Sequence, residues 1–474
     1  MVLLWLQSPY GLAALEKEGA SMNTFSGKWT RCFFFFVLIL FITRASFAES
    51  WESEILTGVS ADLTSIWATS SITAGTWPNN VKTEIFCTGE TGTIIYHNGT
   101  AWQSQDSGTP NTLNGVWGSS GNDVIAVGLS GTIRHYNGAA WTSESYPTAN
   151  TLNAVWGISG NDVFAVGDYG TILHYNGSSW QPQDSGTNSN LNAVWGSSAN
   201  DVFVVGELFT ILHYDGYAWS AFEPTFTERP SLNGIWGYAA DSVFAVGESG
   251  TIIWYNGDVW ALMSSEISSS IILNAVWGAS ACNVYAVGRL SNNGAVYHFD
   301  GSTWSSQENL LSPANPAALL GIHGTSLRDI FVVGNVGTFV SYNLPEEEKY
   351  PLVCATSPVD GTTDVAINAN LIASFSTEMD PDTITEATFT LTDTKSPVPG
   401  TVSYESGAFA VFTPDDNLES ETTYTATLGR DIEDRFGYGI GDATDYTWSF
   451  TTTAEPSSIS ASGGCFISAA LGRN

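Results

Sequence analysis

Basic residues are scarce in this sequence of 474 residues: 14 Lys+Arg stand against 47 Asp+Glu, a formal charge of −33. Nucleic acid is held by clustered Lys and Arg, so none is expected as a partner. The acidic excess favours solubility and repels anionic surfaces. It leaves room for calcium without locating a site, and no other cofactor is indicated. Cysteine is sparse too. Cys32, Cys87, Cys282, Cys354 and Cys465 stand singly with no C-x-x-C pair, which argues against both a zinc site and a disulfide framework. Helical periodicity is absent throughout, and G-x-S-x-G, H-E-x-x-H and P-loop patterns are missing.

Long apolar runs are missing as well, apart from eleven residues, Cys32 to Ile42. That run is too short to span a bilayer comfortably. Lys28 and Arg31 precede it, and Ser46-Phe47-Ala48 follows with small residues where a signal peptidase reads. Residues 1–48 are therefore expected to be an export signal cleaved after Ala48, with Met22 as the better start. The mature chain is expected to be secreted, periplasmic or on the cell surface, monomeric, and without an integral membrane segment.

Aromatic residues and glycine are abundant: 18 Trp, 18 Tyr, 24 Phe and 47 Gly. Glycine-punctuated aromatic sequence with short apolar runs argues for all-β structure. One repeat reads Leu152-Asn153-Ala154-Val155-Trp156-Gly157, then Asn161-Asp162-Val163-Phe164-Ala165-Val166-Gly167, then Thr171-Ile172-Leu173-His174-Tyr175-Asn176-Gly177, then Trp180. The first key aromatic recurs at Trp67, Trp117, Trp156, Trp195, Trp236 and Trp277, with His323 in the seventh copy. The spacings are 50, 39, 39, 41, 41 and 46 residues. Such a period suits a four-stranded propeller blade. Asn-Gly pairs such as Asn137-Gly138 and Asn256-Gly257 mark tight hairpins, because both residues tolerate positive φ.

Fourth-strand tryptophans fall at Trp102, Trp141, Trp180, Trp219, Trp260 and Trp304, enough for six blades. The seventh copy stops after Tyr342-Asn343. Its missing strand is expected at the other end of the chain: Trp51 precedes Trp67 by 16 residues, much as Trp102 precedes Trp117 by 15. The segment after Ala48 should therefore complete the last blade and close the ring, leaving no long open edge.

At these residues, over 49–343, the chain resembles the BNR-like propellers, including the photosystem II assembly-factor type. The turn reads Y-N-G-x-x-W rather than the S-x-D-x-G-x-T-W of an Asp box, so sialidase chemistry is not carried over. After an acidic linker, 344–354, the motifs Ser357-Pro358-Val359-Asp360-Gly361, Phe375-Ser376-Thr377-Glu378-Met379-Asp380, Thr422-Thr423-Tyr424-Thr425 and Trp448-Ser449-Phe450-Thr451-Thr452 resemble the bacterial Ig-like domain of surface-layer proteins. The resemblance covers 355–453 and implies a β-sandwich of about seven strands. In the tail, 454–474, Cys465-Phe466-Ile467-Ser468-Ala469-Ala470-Leu471-Gly472 is similar to a shortened CFI-box of exported bacterial proteins. No apolar span follows it, and its bland reading is a disordered end. The fold expected is all-β: a seven-bladed β-propeller closed by its N-terminal strand, then an Ig-like β-sandwich.

The repeated tryptophans are read as inter-blade packing. Trp77 and Trp254 lie outside that register and are the candidate ligand contacts. His135, His174, His213 and His298 share a third-strand register with Trp254 and Ser341. Strands ~4.8 Å apart hold equivalent atoms of neighbouring blades farther apart than one zinc ion can bridge, so these histidines are structural or surface groups. Asp123, Asp162, Asp201 and Asp329 precede the second strand, where Asx side chains serve turns, with weak calcium binding as the alternative. Arg134, Arg229, Arg289 and Arg328 occupy unrelated registers, unlike the cluster a substrate carboxylate needs.

These features point to an exported, non-catalytic binding or adhesion protein. The propeller would recognise a protein or glycan ligand on its axial face, and the sandwich would act as a spacer. Residues 70–81, 225–230, 264–271, 291–294 and 308–316 depart most from the repeat and are expected to supply the binding loops. One alternative is a polysaccharide hydrolase or lyase, which needs paired carboxylates at the axial mouth. Another is an envelope structural or assembly factor.

Overall fold

A computed structural model describes residues 50–72, 81–144, 146, 148–222, 228–263, 267–307, 311–312, 317–343, 350–393, 396–405, 409–440 and 444–454. The export-signal segment, Trp77 and the CFI-like tail lie outside the described residues, as do parts of each expected binding loop except 291–294. No described helix is long and apolar enough to cross a membrane.

Seven antiparallel sheets form the propeller. In blade three the strands are Leu152–Ser159, Asp162–Gly167, Thr171–Tyr175 and Trp180–Gln183, from innermost to outermost. Val163, Phe164, Ala165 and Val166 on the second strand are fully buried. This continuous run of burial is what a sheet packed on both faces requires. The seventh blade combines Leu319–Ser326, Asp329–Gly334 and Thr338–Asn343 with Ser50–Ile55. Trp51 pairs antiparallel with Tyr342 and is fully buried, so the ring closes as the tryptophan count implied. This blade also holds an unexpected fifth strand: Leu311–Ser312, within the 308–316 insertion, pairs parallel to Trp51-Glu52.

The joints between blades follow one rule. The benzo edge of each inner-strand indole abuts the glycine that follows the next blade's key aromatic residue. A Cβ on Gly118, Gly157, Gly196, Gly237, Gly278 or Gly324 would fall 2.4–2.8 Å from the preceding blade's indole, closer than carbon atoms pack. The seventh joint differs on both sides. His323 replaces tryptophan, Ala68 replaces glycine, and His323 Nδ1 accepts the Ala68 N–H at 3.2 Å. A smaller ring makes room for the extra methyl.

Two sheets form the sandwich, one of four strands and one of five among the described residues. The first strand, Val353–Ser357, begins within the stretch read as linker. Leu371, Phe375, Phe389, Phe412, Trp448 and Phe450 fill the core. The sandwich is tied to the propeller. A disulfide joins Cys282, in the turn between the first two strands of blade six, to Cys354. Arg328, from the same turn of blade seven, donates to Asp434 at 2.6 Å and lies over the rings of Phe436 and Tyr438. Tyr238 of blade five meets Phe409 edge-on at 5.1 Å. The expectation of a chain without a disulfide framework is corrected by this one bond. Single cysteines far apart in sequence carry no pairing signal, and their meeting depends on where the sandwich rests.

Candidate functional site

Because the strands alternate in direction, each blade sends its first-to-second and third-to-fourth turns to one end of the propeller. Its second-to-third turns and inter-blade connections go to the other. The contacts of Tyr238, Cys282 and Arg328 put the sandwich on the first end, here the sandwich face. The other is the loop face.

Between the faces runs an axial channel of about 360 Å³. Asn114, Asn153, Asn192, Asn233 and Asn274 line it, and each donates to a leucine carbonyl of the next blade at 2.7–3.1 Å. Its other lining groups are Thr64, Ser65, glycine, aliphatic residues, the tryptophan ring and His323, with no carboxylate among the described residues. Burial holds His323 down to about pKa 4, so its ring is neutral at physiological pH. On the sandwich face the channel meets a chamber of about 580 Å³ that shares Trp195, Trp236 and Trp277 and carries the Glu378–Arg435 ion pair of the sandwich.

The aspartate and histidine registers, read separately in the sequence, are partners. His135 meets Asp123 at 2.6 Å, His174 meets Asp162 at 2.7 Å, and His213 meets Asp201 at 2.6 Å. The pairing survives substitution on both sides. Tyr96 donates to Glu84 in blade one, Trp254 to Ser242 at 3.4 Å in blade five, and His298 pairs with Asn283 at 3.0 Å in blade six. Each donor in the first five blades stands twelve residues after its acceptor, a constant offset that signals contact. These are cross-strand ties near the sandwich-face end of each blade. Trp254 is one of them, half-buried against the core around Phe244, and it does not stand among the loops. His135 alone bridges two acids: Glu144 lies 3.0 Å from its Nδ1. The hydrogen bond to Glu144, with Asp123 on the other nitrogen, raises it to about pKa 9 against the opposing effect of burial. His298, with a neutral partner, is held down to about 4 by burial. Among the described residues, no three His, Cys, Asp or Glu side chains are arranged to hold a metal ion.

The arginines do not converge. Arg134 donates to the Gly108 carbonyl and Arg328 serves the sandwich contact.

The loop face is built from tight turns. Thr91, Ser130, Tyr169, Leu208, Ser249, Ser291 and Val336 sit at the turn tips with φ of 54–57°, a region L side chains rarely adopt. Leu129, Tyr169, Leu208, Leu262 and Val336 expose apolar side chains there, and Tyr169 and Leu208 are about 70 % exposed. Glu90, Asp168, Glu207 and Glu248 open four of the turns. The described ends of four of the five divergent segments, all except 70–81, lie on this face. The sequence flagged these loops but not the turn tips, whose variable residue hides inside the regular G-x-x-G pattern.

Residues 347–452 match the model of the bacterial Ig-like domain family. No curated protein is similar to the chain. Among solved structures, YCF48 bound to D1 peptide is similar at 15% identity, covering 63% of this chain and 97% of that one, with a TM-score of 0.50. YCF48 from Cyanidioschyzon merolae is similar at 14% identity over 62% and 99% of the chains, with a TM-score of 0.48. The WD40 β-propeller domain of Doa1 is similar at 12% identity over 64% and 98%, with a TM-score of 0.51. At such identities the likeness is one of fold. This chain is a seven-bladed β-propeller joined to a bacterial Ig-like domain.

Proposed function

We propose that the chain is an exported, non-catalytic binding protein that presents the loop face of its propeller to a protein partner. The observation that carries this reading is the division of the two ends. The sandwich is latched to one end, whereas the other carries left-handed turn tips that expose Tyr169, Leu208 and Val336 and the described ends of four divergent connections. Apolar patches ringed by polar groups mark protein contact sites. The similar fold of YCF48 occurs bound to a peptide, D1, which favours a protein ligand over a glycan. Export is supported by the Ig-like domain, by the signal-like leader, and by a disulfide between domains, a bond that persists in oxidising compartments.

The test compares the wild-type chain with a Tyr169→Ser, Leu208→Ser, Val336→Ser variant, in pull-downs from an envelope extract and on a glycan array. Proteins retained by the wild type and lost with the variant support the reading. Glycan binding that the variant keeps in full overturns it.

A further inference from the structure

In five blades the residue directly after the loop-face turn tip is glycine. A Cβ on Gly92, Gly131, Gly170, Gly250 or Gly337 would fall 1.8–2.8 Å from a backbone carbonyl of the adjoining connection. In blade four this residue is Phe209, at φ 61° directly after Leu208 at φ 54°. Two successive side-chain-bearing residues in the left-handed region form a conformation that surrounding structure must hold in place. A side chain here is incompatible with the close approach seen in the other blades. A groove of about 360 Å³ lies beside it, with Phe209, Pro230, Leu262, Met263 and Ile267 as its apolar wall and Glu228 beside them. Phe209 is buried as the floor, while Leu208 and Leu262 stand exposed at 69% and 58%. Glu207 and Glu248, both exposed, open the two turns that flank the groove.

We infer that this groove between blades four and five binds an extended peptide segment of a partner protein in which Lys or Arg flanks a large apolar residue. The inference rests on the loop-face reading above and adds the chemistry of the occupant. The apolar wall takes the anchor side chain. The carboxylates of Glu207, Glu228 and Glu248, on a chain that is itself strongly acidic, select cations and repel acidic peptides. An extended segment suits the site because one strand-like chain can set its anchor in the apolar groove and its flanking cations beside the carboxylates.

The probes are three fluorescein-labelled peptides: Gly-Ser-flanked Lys-Leu-Lys-Phe-Lys, its glutamate-for-lysine counterpart, and its serine-for-leucine-and-phenylalanine counterpart. Binding to the full mature chain is read by fluorescence anisotropy at physiological salt. The first peptide is expected to bind at least about tenfold more tightly than either counterpart. Glu207→Gln with Glu248→Gln should raise its Kd about five- to tenfold, and Leu262→Ser should raise it comparably. The remote pair Asp416→Asn with Glu421→Gln should leave it unchanged. All these positions are exposed, and unchanged thermal unfolding verifies that the variants fold. Equal binding of the acidic peptide, or a Kd indifferent to the groove variants, overturns the inference. If the Tyr169, Leu208 and Val336 tips still govern capture of a protein while all three peptides are ignored, the loop-face reading stands and this one falls. If neither responds, both fall.

Discussion

Replacing His323 by tryptophan tests the joint that closes the ring. At the other six joints an indole abuts a glycine, and a Cβ on that glycine would come within 2.4–2.8 Å of it. Carbon atoms rest at about 3.5–4.0 Å, so the His323→Trp indole would overlap the Ala68 methyl by about 1 Å. Overpacking of this kind costs about 1–3 kcal/mol, and the hydrogen bond from the Ala68 N–H to Nδ1 is lost as well. Ala68→Gly alone removes a buried methyl and loosens a strand, at about 0.5–1 kcal/mol. The double variant recreates the joint found six times elsewhere, so the overlap vanishes while the lost hydrogen bond cancels from the cycle. Urea unfolding of the oxidised mature chain should therefore give a favourable coupling of about 2 kcal/mol between residues 255 positions apart. Additivity within about 0.5 kcal/mol would refute the joint, and with it the contact between blades seven and one.

Trp51→Ala should cost about 3–5 kcal/mol, because the side chain is fully buried between Tyr285 and Tyr342; a loss below about 1 kcal/mol in the same unfolding assay would argue that the N-terminal strand does not close the seventh blade. Arg328→Met combined with Cys282→Ser and Cys354→Ser should free the sandwich from the propeller, read as a larger radius in small-angle scattering and faster proteolysis near 344–350, whereas Arg328→Met alone should leave the domains tethered by the disulfide. Stability against pH should show two shoulders. His298 and His323 are held neutral, with folded values of about 4 below the usual 6.5, so the stability they give is present above pH 6.5 and drains as the pH falls toward 4. Its size is up to about 3 kcal/mol for each, less where channel water reaches the ring. His135, raised to about 9, contributes fully below pH 6.5 and loses its contribution as pH climbs through 9. His135→Phe should abolish only the alkaline shoulder, and His323→Phe should reduce only the acidic one.

The repeat was open to reading because each blade solves the same packing problem with the same residues. Trp156 and Gly157, or Val163 to Val166, recur wherever an indole must shingle or a strand must be buried on both faces. Even the closing strand followed from counting outer tryptophans. The aspartate–histidine ties were equally visible as a constant twelve-residue offset, yet each register also has an ordinary local explanation, so the two were read apart. Trp254 illustrates the hazard. It stands outside the register of packing tryptophans, which suggests exposure, but it takes a histidine's place together with Ser242 and keeps the tie. Contacts made once have no such redundancy. The Cys282–Cys354 bond, the Arg328 contact and the pairing of Leu311–Ser312 depend on where a non-repeating element comes to rest. The groove beside Phe209 was hidden for a related reason: one residue altered in one copy looks like drift until the neighbouring carbonyls are placed.

Closing the circle with Trp51 also dictates an order of events. Synthesis delivers this strand before any blade exists, and its antiparallel neighbour, Thr338–Asn343, is among the last propeller segments made. Until then the opening residues, an indole among them, must stay unpaired while six blades assemble behind them. Pairings so remote in sequence form slowly, and unpaired strand edges invite wrong partners. A nascent chain of this design therefore benefits from being kept apart from its siblings until the final hairpin appears.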